Sequence, residues 1–338
     1  MARSPSSLGA PPTSVDAEAS ADSEPVSPAA ARALARSQVY QSAADAPATL
    51  RAYRTDVENF RAWCLAHGFD PMPASPETVG AYLAAAGQGY AGPTLRRRVA
   101  AIARAHRIAG HPLDTRHPAI RETLRGIARA HGEPPRRAAA LTTTEVKRLV
   151  RACGVDLAGL RDRALFLVGF AAALRRSELV ALDVEHLAWT DEGMRLLVGR
   201  SKTDQAGRGA EIGVPRGHSE ETCPVGALQA WLAAAEIDRG PIFRRVTRWN
   251  TPGSQRLHPD AVRQILIKRA NQARVKGTLW EPVTSHGLRA GFITTAYKNH
   301  VPDEEIMGHS RHRSLTTMRS YVRRAKLSTT SPAGKVGL

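Results

Sequence analysis

The chain settles into a helical rhythm of apolar and polar positions from about residue 49. In TLRAYRTDVENFRAWCLAHG, Leu50, Tyr53, Val57, Phe60 and Leu65 trace one stripe, and Gly68 offers a stop. SPETVGAYLAAAG follows with the grammar of a capped helix: Ser75 as cap, Pro76 in the first turn and Glu77 behind it. In GPTLRRRVAAIARAHRIAG, Leu95, Val99 and Ile102 share one face while Arg97, Arg104 and Arg107 fall on the other. That basic face is either simply solvated or meets the phosphates of a nucleic acid.

The pattern breaks at HGEPPRRAAAL, where Gly132, Pro134, Pro135 and two arginines read as a linker. A new helix opens in LTTTEVKRLVRAC, with Thr142 to Thr144 as cap candidates and Glu145 in the first turn. GLRDRALFLVGFAAALRRSELVAL predicts a buried helix that breaks near Ala172 to Leu174. A patch between about Glu185 and Val214 switches to alternation: Leu196 and Val198 mark one strand, Gly207 and Gly209 a turn, Ile212 and Val214 a second strand. Before residue 33 the chain is Ala, Ser and Pro with scattered acids, too poor in apolar groups to offset the entropy of ordering. The predicted organisation is a disordered tail over 1–32, a helical domain over 33–135 and a second domain over 136–338. The fold class is mainly α, with a small antiparallel sheet in the second domain.

Composition narrows the partner. Among 338 residues, 48 Lys and Arg face 31 Asp and Glu, a formal charge of +17. A field of that sign captures polyanions, nucleic acid first and an anionic membrane surface second. No apolar run of about 18 residues is present to span a bilayer, and the N-terminus lacks the charged start and apolar core of a secretory signal. Cys64, Cys153 and Cys223 lie far apart, which argues against a disulfide framework or a zinc module and for a reducing cytoplasm.

Several charged groups in the second half invite a chemical reading, although each has an ordinary explanation taken singly. Arg175 and Glu178, three apart, share a face if their stretch is helical, and a structural ion pair would explain them. Lys202 sits on the shoulder of the predicted hairpin, where a lysine is usually solvated. His286 and Arg289 lie at a helix start with Thr284 or Ser285 as cap, and such a start offers free N–H groups to a phosphate. Asp303, Glu304 and Glu305 follow Pro302 and read as helix-start electrostatics, not as a metal cluster. Tyr321 closes the set at the flank of a stripe of Leu315, Met318 and Val322, behind Ser314 as cap. By itself it reads as a packed aromatic.

The order of these groups matters more than any one of them. Arg–x–x–Glu, a hairpin lysine, His–x–x–Arg, then histidine and tyrosine near the end form a pattern that resembles the tyrosine recombinase (phage integrase) family. LRRSELVALDVEHL, RSKTDQAG, SHGLRAGF and HRSLTTMRSYVR look like its signatures, and SPETVGAYLAA and TLRRRVAAIARAHR resemble its core-binding domain. The likeness spans about residues 50 to 325. It implies that Arg175, Arg289 and His286 hold a scissile DNA phosphate, that Lys202 protonates the leaving oxygen, that Glu178 supports Arg175, and that Tyr321 is the nucleophile. The family commonly places its last histidine nine residues before the tyrosine. His312 stands at that distance, with Arg311 where glycine is usual, and His309 stands twelve residues before and remains a candidate lining residue. Ala173 is a second departure, standing where the family usually has glycine.

Such a site wants these residue types. Attack on an anionic phosphodiester builds further negative charge, which forked arginines stabilise without losing their own charge. The resemblance therefore implies site-specific DNA cleavage and rejoining through a 3′-phosphotyrosyl link, with neither metal nor ATP and no cofactor. Double-stranded DNA is the implied partner, with four protomers in the synapse. The competing readings are type IB topoisomerase-like strand cleavage and a DNA-binding protein without catalysis.

Overall fold

The computed structural model describes residues 27–42, 44–134, 136–199 and 209–321, and its contacts divide the chain into two units at Gly132/Glu133. The first unit is all helix: α1 (Pro28–Ser42), α2 (Pro47–Ala66), α3 (Pro76–Ala86), α4 (Gly92–Ile108) and α5 (Pro118–His131). Residues 28–32, expected as tail, thus belong to α1. Proline stands in the first turn of α2, α3, α4 and α5, where its missing N–H costs nothing and its fixed φ suits the helix. Ser75 caps α3 by accepting from the Thr78 N–H at 3.2 Å.

Phe60, Cys64, Val79, Tyr82, Leu83, Leu95, Val99, Ile102 and Ile120 form this unit's core. Leu65 departs from the expected stripe: it is exposed, and Cys64, one position earlier, points inward instead. His106 is buried and structural: its Nδ1 donates to the Ile102 carbonyl at 2.9 Å, so its Nε2 accepts from the Ala74 N–H at 2.9 Å.

The second unit runs α6 (Thr143–Arg151), α7 (Leu157–Ala171), α8 (Arg176–Ala181), β1 (Leu187–Trp189), β2 (Gly193–Val198), β3 (Ala210–Pro215), α9 (Pro224–Ala234), β4 (Arg244–Val246), β5 (Pro252–Arg256), α10 (Pro259–Gln272), α11 (Gly287–Lys298) and α12 (Asp303–Ser310). A last helical segment follows at 315–321. The strand-rich patch is a three-stranded antiparallel sheet in the order β1-β2-β3, one strand more than the alternation predicted. Met194 opposes Val214 and Leu196 opposes Ile212, so one face of the ladder is buried while Arg195 and Leu197 face out.

α7 is the axis of this unit and is mostly buried, as the apolar run over residues 164–171 requires. Its buried Asp162 is clamped between Arg161 and Arg269, the latter at 2.8 Å. Removing one partner of such a buried pair costs roughly 3–5 kcal/mol. The opening segment of the unit lies along the start of α11, with Ala139 and Leu141 donating to the carbonyls of Pro282 and Gly287, both at 3.0 Å. Gly291 allows that approach: a Cβ there would sit 1.7 Å from the Leu141 carbonyl oxygen.

Candidate active site

Three chain breaks and starts aim the charged side chains of the second unit at one place. The first is the end of α7. Ala173 adopts φ +46, a left-handed turn that favours glycine, and the chain reverses so that Arg175 becomes the N-cap of α8. Arg175 and Glu178 therefore meet across a helix start rather than along a helix face. Glu178 accepts the Arg175 backbone N–H at 2.9 Å on one oxygen and the Arg175 guanidinium on the other. The carboxylate is almost wholly buried, and these bonds together with Arg311 hold it charged: its pKa is lowered even though burial alone would raise it.

The second is the start of α11. His286 is its N-cap, and neither Thr284 nor Ser285 caps it with a side chain; the Gly287 N–H is taken by the Thr284 carbonyl at 2.8 Å. Arg289, one turn in, is completely buried. Its Nη1 donates to the Ala173 carbonyl at 2.6 Å, and its Nη2 faces the His312 ring at 3.3–3.4 Å. Its Nε is buried without a partner among the described residues. Burial, then the charges of Arg175 and Arg311, push Arg289 down to about 9, so it is still a cation at neutral pH.

The third is the end of α12 and the helical segment after it. Ser310 donates to the Ile306 carbonyl at 2.6 Å, which uses its only proton. Its oxygen then accepts from His312 Nδ1 at 2.7 Å, which fixes the proton of that imidazole on Nδ1 and leaves Nε2 unprotonated. Burial, followed by Arg289, Arg175, His286 and Arg311, depresses His312 to about 3, so the ring is neutral. Ser314 caps the 315–321 segment through the Thr317 N–H at 3.3 Å, and Arg319 pairs with Asp303 at 2.9 Å, tying that segment to α12. Met318 is fully buried among Ile293, Ala296 and Ile306, and Tyr321 packs at the edge of that cluster. Leu315 is exposed instead of completing the stripe, and Val322 lies outside the described residues.

This arrangement brings the Tyr321 hydroxyl to 2.6 Å from His286 Nε2. The His286 and His312 rings stand 5.8 and 5.9 Å from the phenol ring, on a wall that also holds Arg289. Burial, then the charges of Arg289 and Arg175, lower the His286 pKa. An unprotonated imidazole in contact with a phenol is a competent proton acceptor.

The two candidate histidines separate. His312 enters the cluster. His309 commits its Nε2 to the Ala171 carbonyl at 2.7 Å and stacks on Phe292 at 4.6 Å, so it braces the end of α7. Sequence reasoning gave two participants no role in the site. Ser310 sets the His312 tautomer, and Arg311 joins Glu178. The expected place of Lys202, between β2 and β3, lies outside the described residues.

In the first unit two arginines of the basic face of α4 are ion-paired within the fold. Arg97 forks onto the buried Asp56 at 2.8 and 3.1 Å, and Arg104 pairs with Asp45 at 3.0 Å; Arg107 is exposed. Beside it a groove is lined by Arg96, Arg116, Arg121 and Arg125 from α4, α5 and their connection, together with Glu122, which pairs with Arg125 at 3.3 Å. Among the described residues no three His, Cys, Asp or Glu gather to hold a metal ion, and no helix is long and apolar enough to cross a membrane.

Known proteins resemble this chain in sequence and fold. The family model described as the phage integrase family matches residues 139–327, which include the whole cluster. An integrase/recombinase xerD homolog of Selenomonas ruminantium is 35% identical over 285 residues, covering 82% of each chain. A tyrosine recombinase XerD of Ralstonia nicotianae is 27% identical, over 83% of this chain and 86% of its own. Among solved structures, a Tn1549 transposon integrase in complex with transposon right-end DNA superposes with a TM-score of 0.58 at 14% identity, covering 86% of this chain and 96% of that one. A lambda integrase dimer bound to a core site gives 0.56 at 17% identity, covering 85% and 93%. These structural likenesses bear on the fold, which is mostly helical with small antiparallel sheets. By the family match and the 35% identical relative, the chain belongs to the phage integrase family of tyrosine recombinases.

Proposed function

We propose that the chain recombines DNA at specific sites, cutting and rejoining strands through a covalent 3′-phosphotyrosyl link to Tyr321. The observation that carries this reading is the Tyr321 hydroxyl in contact with His286 Nε2, beside the buried Arg289. As the phenol oxygen bonds to phosphorus, its proton passes to His286 and the bond from phosphorus to the 5′-oxygen breaks. Arg289 and Arg175 take the charge that builds on the non-bridging oxygens. Neutral His312 orients the Arg289 fork. Lys202 protonates the leaving 5′-oxygen. A 5′-hydroxyl from a second strand end reverses each bond change and restores the DNA.

The chemistry conserves the phosphodiester energy in the covalent link, so the reaction proceeds without ATP, and the guanidinium charges do the work that a metal would otherwise do. The groove of Arg96, Arg116, Arg121 and Arg125 is a surface of the first unit that suits the DNA backbone. A solved lambda integrase tetramer bound to a Holliday junction supports a tetramer on two sites as the working assembly. The free, buried cysteines Cys64, Cys153 and Cys223 fit a reducing cytoplasm where the DNA lies.

The test is to incubate the protein with a library of duplexes, each carrying one nick, and recover what becomes covalently attached. Recombination at defined sites predicts retained duplexes that share paired inverted repeats around a short spacer. Retention of every sequence equally, with relaxation of any supercoiled plasmid, would assign topoisomerase activity instead. Non-covalent binding alone would leave a DNA-binding protein.

A further inference from the structure

We propose that Arg311 is a positioning residue for strand cleavage: its guanidinium occupies one oxygen of the buried Glu178 carboxylate and so releases Arg175 toward the DNA phosphate. The proposal rests on the recombinase reading above.

The backbone is the first sign. Arg311 caps α12 in the left-handed region, at φ 57 and ψ 43. Glycine fits that conformation without strain, whereas a branched-off side chain does not. A non-glycine residue held there is informative when its side chain makes contacts a turn residue would not need. This one makes several. Arg311 Nη2 donates to Glu178 at 2.9 Å and to the Ala173 carbonyl at 3.3 Å, while Nη1 donates to the carbonyls of His309 at 3.0 Å and Ala172 at 3.3 Å.

Charge supplies the second sign. The Glu178 side chain is 2% exposed and lies between two guanidinium groups, Arg175 on one oxygen and Arg311 on the other. Arg175 is the more exposed of the pair, 21% against 12%, and is therefore the one able to reach a bound ligand. Without Arg311, a buried carboxylate would be left with Arg175 as its sole ion-pair partner among the described residues and would draw that fork onto both oxygens. The shared Ala173 carbonyl adds a further link, because Arg289 donates to it at 2.6 Å. Arg311 thus fixes the acceptors of both phosphate-directed arginines. It is no phosphate ligand itself: its contacts point into the α7–α8 turn, and its Nε is buried.

The experiment uses the full chain and a nicked duplex that the wild type retains covalently in the library test. Arg311→Gly should slow single-turnover adduct formation at least 10-fold while DNA affinity stays within 3-fold, since glycine suits the backbone there. Arg311→Lys, which keeps a charge near Glu178, should recover part of the loss. Adding Glu178→Gln to Arg311→Gly should restore rate relative to Arg311→Gly alone, because a neutral amide no longer captures Arg175. If Arg311→Gly does not fold, the same comparison is made on Arg311→Lys with and without Glu178→Gln. Near wild-type cleavage by Arg311→Gly, equal losses in affinity and cleavage, or a double variant slower than the single one would each overturn the role of Arg311. A wild type that retains no DNA covalently would instead overturn the recombinase reading, and this inference with it.

Discussion

Replacing Arg289 with lysine separates holding DNA from cutting it. The wild-type guanidinium is wholly buried, gives Nη1 to Ala173 and sets Nη2 against His312, while Nε has no partner among the described residues. Lysine keeps the charge but carries it on one rotatable ammonium, which can serve the Ala173 carbonyl or an incoming phosphate oxygen and cannot fork between them. The missing donor matters most when negative charge is building, and removal of a comparable preorganised donor costs about 3–4 kcal/mol, or roughly 10²–10³ in rate. Ground-state binding is spread over many phosphate contacts, so DNA affinity should change less than about 3-fold. The assay is single-turnover cleavage of a nicked duplex, scored as covalent adduct on a denaturing gel, beside a gel-shift titration at fixed salt. Equal losses in rate and affinity would refute the reasoning and reduce Arg289 to a phosphate anchor.

Other outcomes follow from the same geometry. Ser310→Ala removes the acceptor that fixes the His312 proton on Nδ1; it should slow cleavage by about 10-fold or more and lower stability by roughly 1–3 kcal/mol, read by adduct kinetics and thermal melting. Gly291→Ala places a methyl 1.7 Å from the Leu141 carbonyl oxygen, so α11 must shift; overpacking of about 1–3 kcal/mol should lower Tm by roughly 2–10 °C. The folded His312 pKa of about 3 lies below the ordinary 6.5, so the unfolded chain binds more protons between those values. Stability should therefore be full above pH 6.5 and fall as pH drops toward 3, by at most ~5 kcal/mol from this ring. His312→Asn should flatten that slope in melts from pH 7 to 4, and a slope unchanged by the substitution would contradict the assignment.

Local grammar was readable in the sequence, and distant partnership was not. Ser75, Glu145 and the alternation of Leu196 and Val198 act within a few residues, so α3, α6 and β2 could be recognised from their own letters. The order of arginine, histidine and tyrosine also carried the family likeness. Arg97 and Arg104 show the limit: their partners, Asp56 and Asp45, come from elsewhere in the fold, and nothing on α4 itself reveals that these charges are engaged. Leu65 and Cys64 differ by one position, about 100° of helix, which a weak stripe cannot resolve. Ser310 and Arg311 were hidden for a related reason. A serine next to two histidines has no distinctive spacing, and the value of Arg311 comes from Glu178, far away in the chain and brought close by the α7–α8 turn.

The account turns on Tyr321 as the atom that joins DNA. The direct measurement is covalent adduct formation by wild type and Tyr321→Phe on the same nicked duplex, with affinity measured alongside. Loss of the adduct to background with affinity within about 2-fold is the predicted result. A protease-sensitive DNA adduct formed by the phenylalanine variant at a comparable rate would contradict the assignment and place the nucleophile elsewhere.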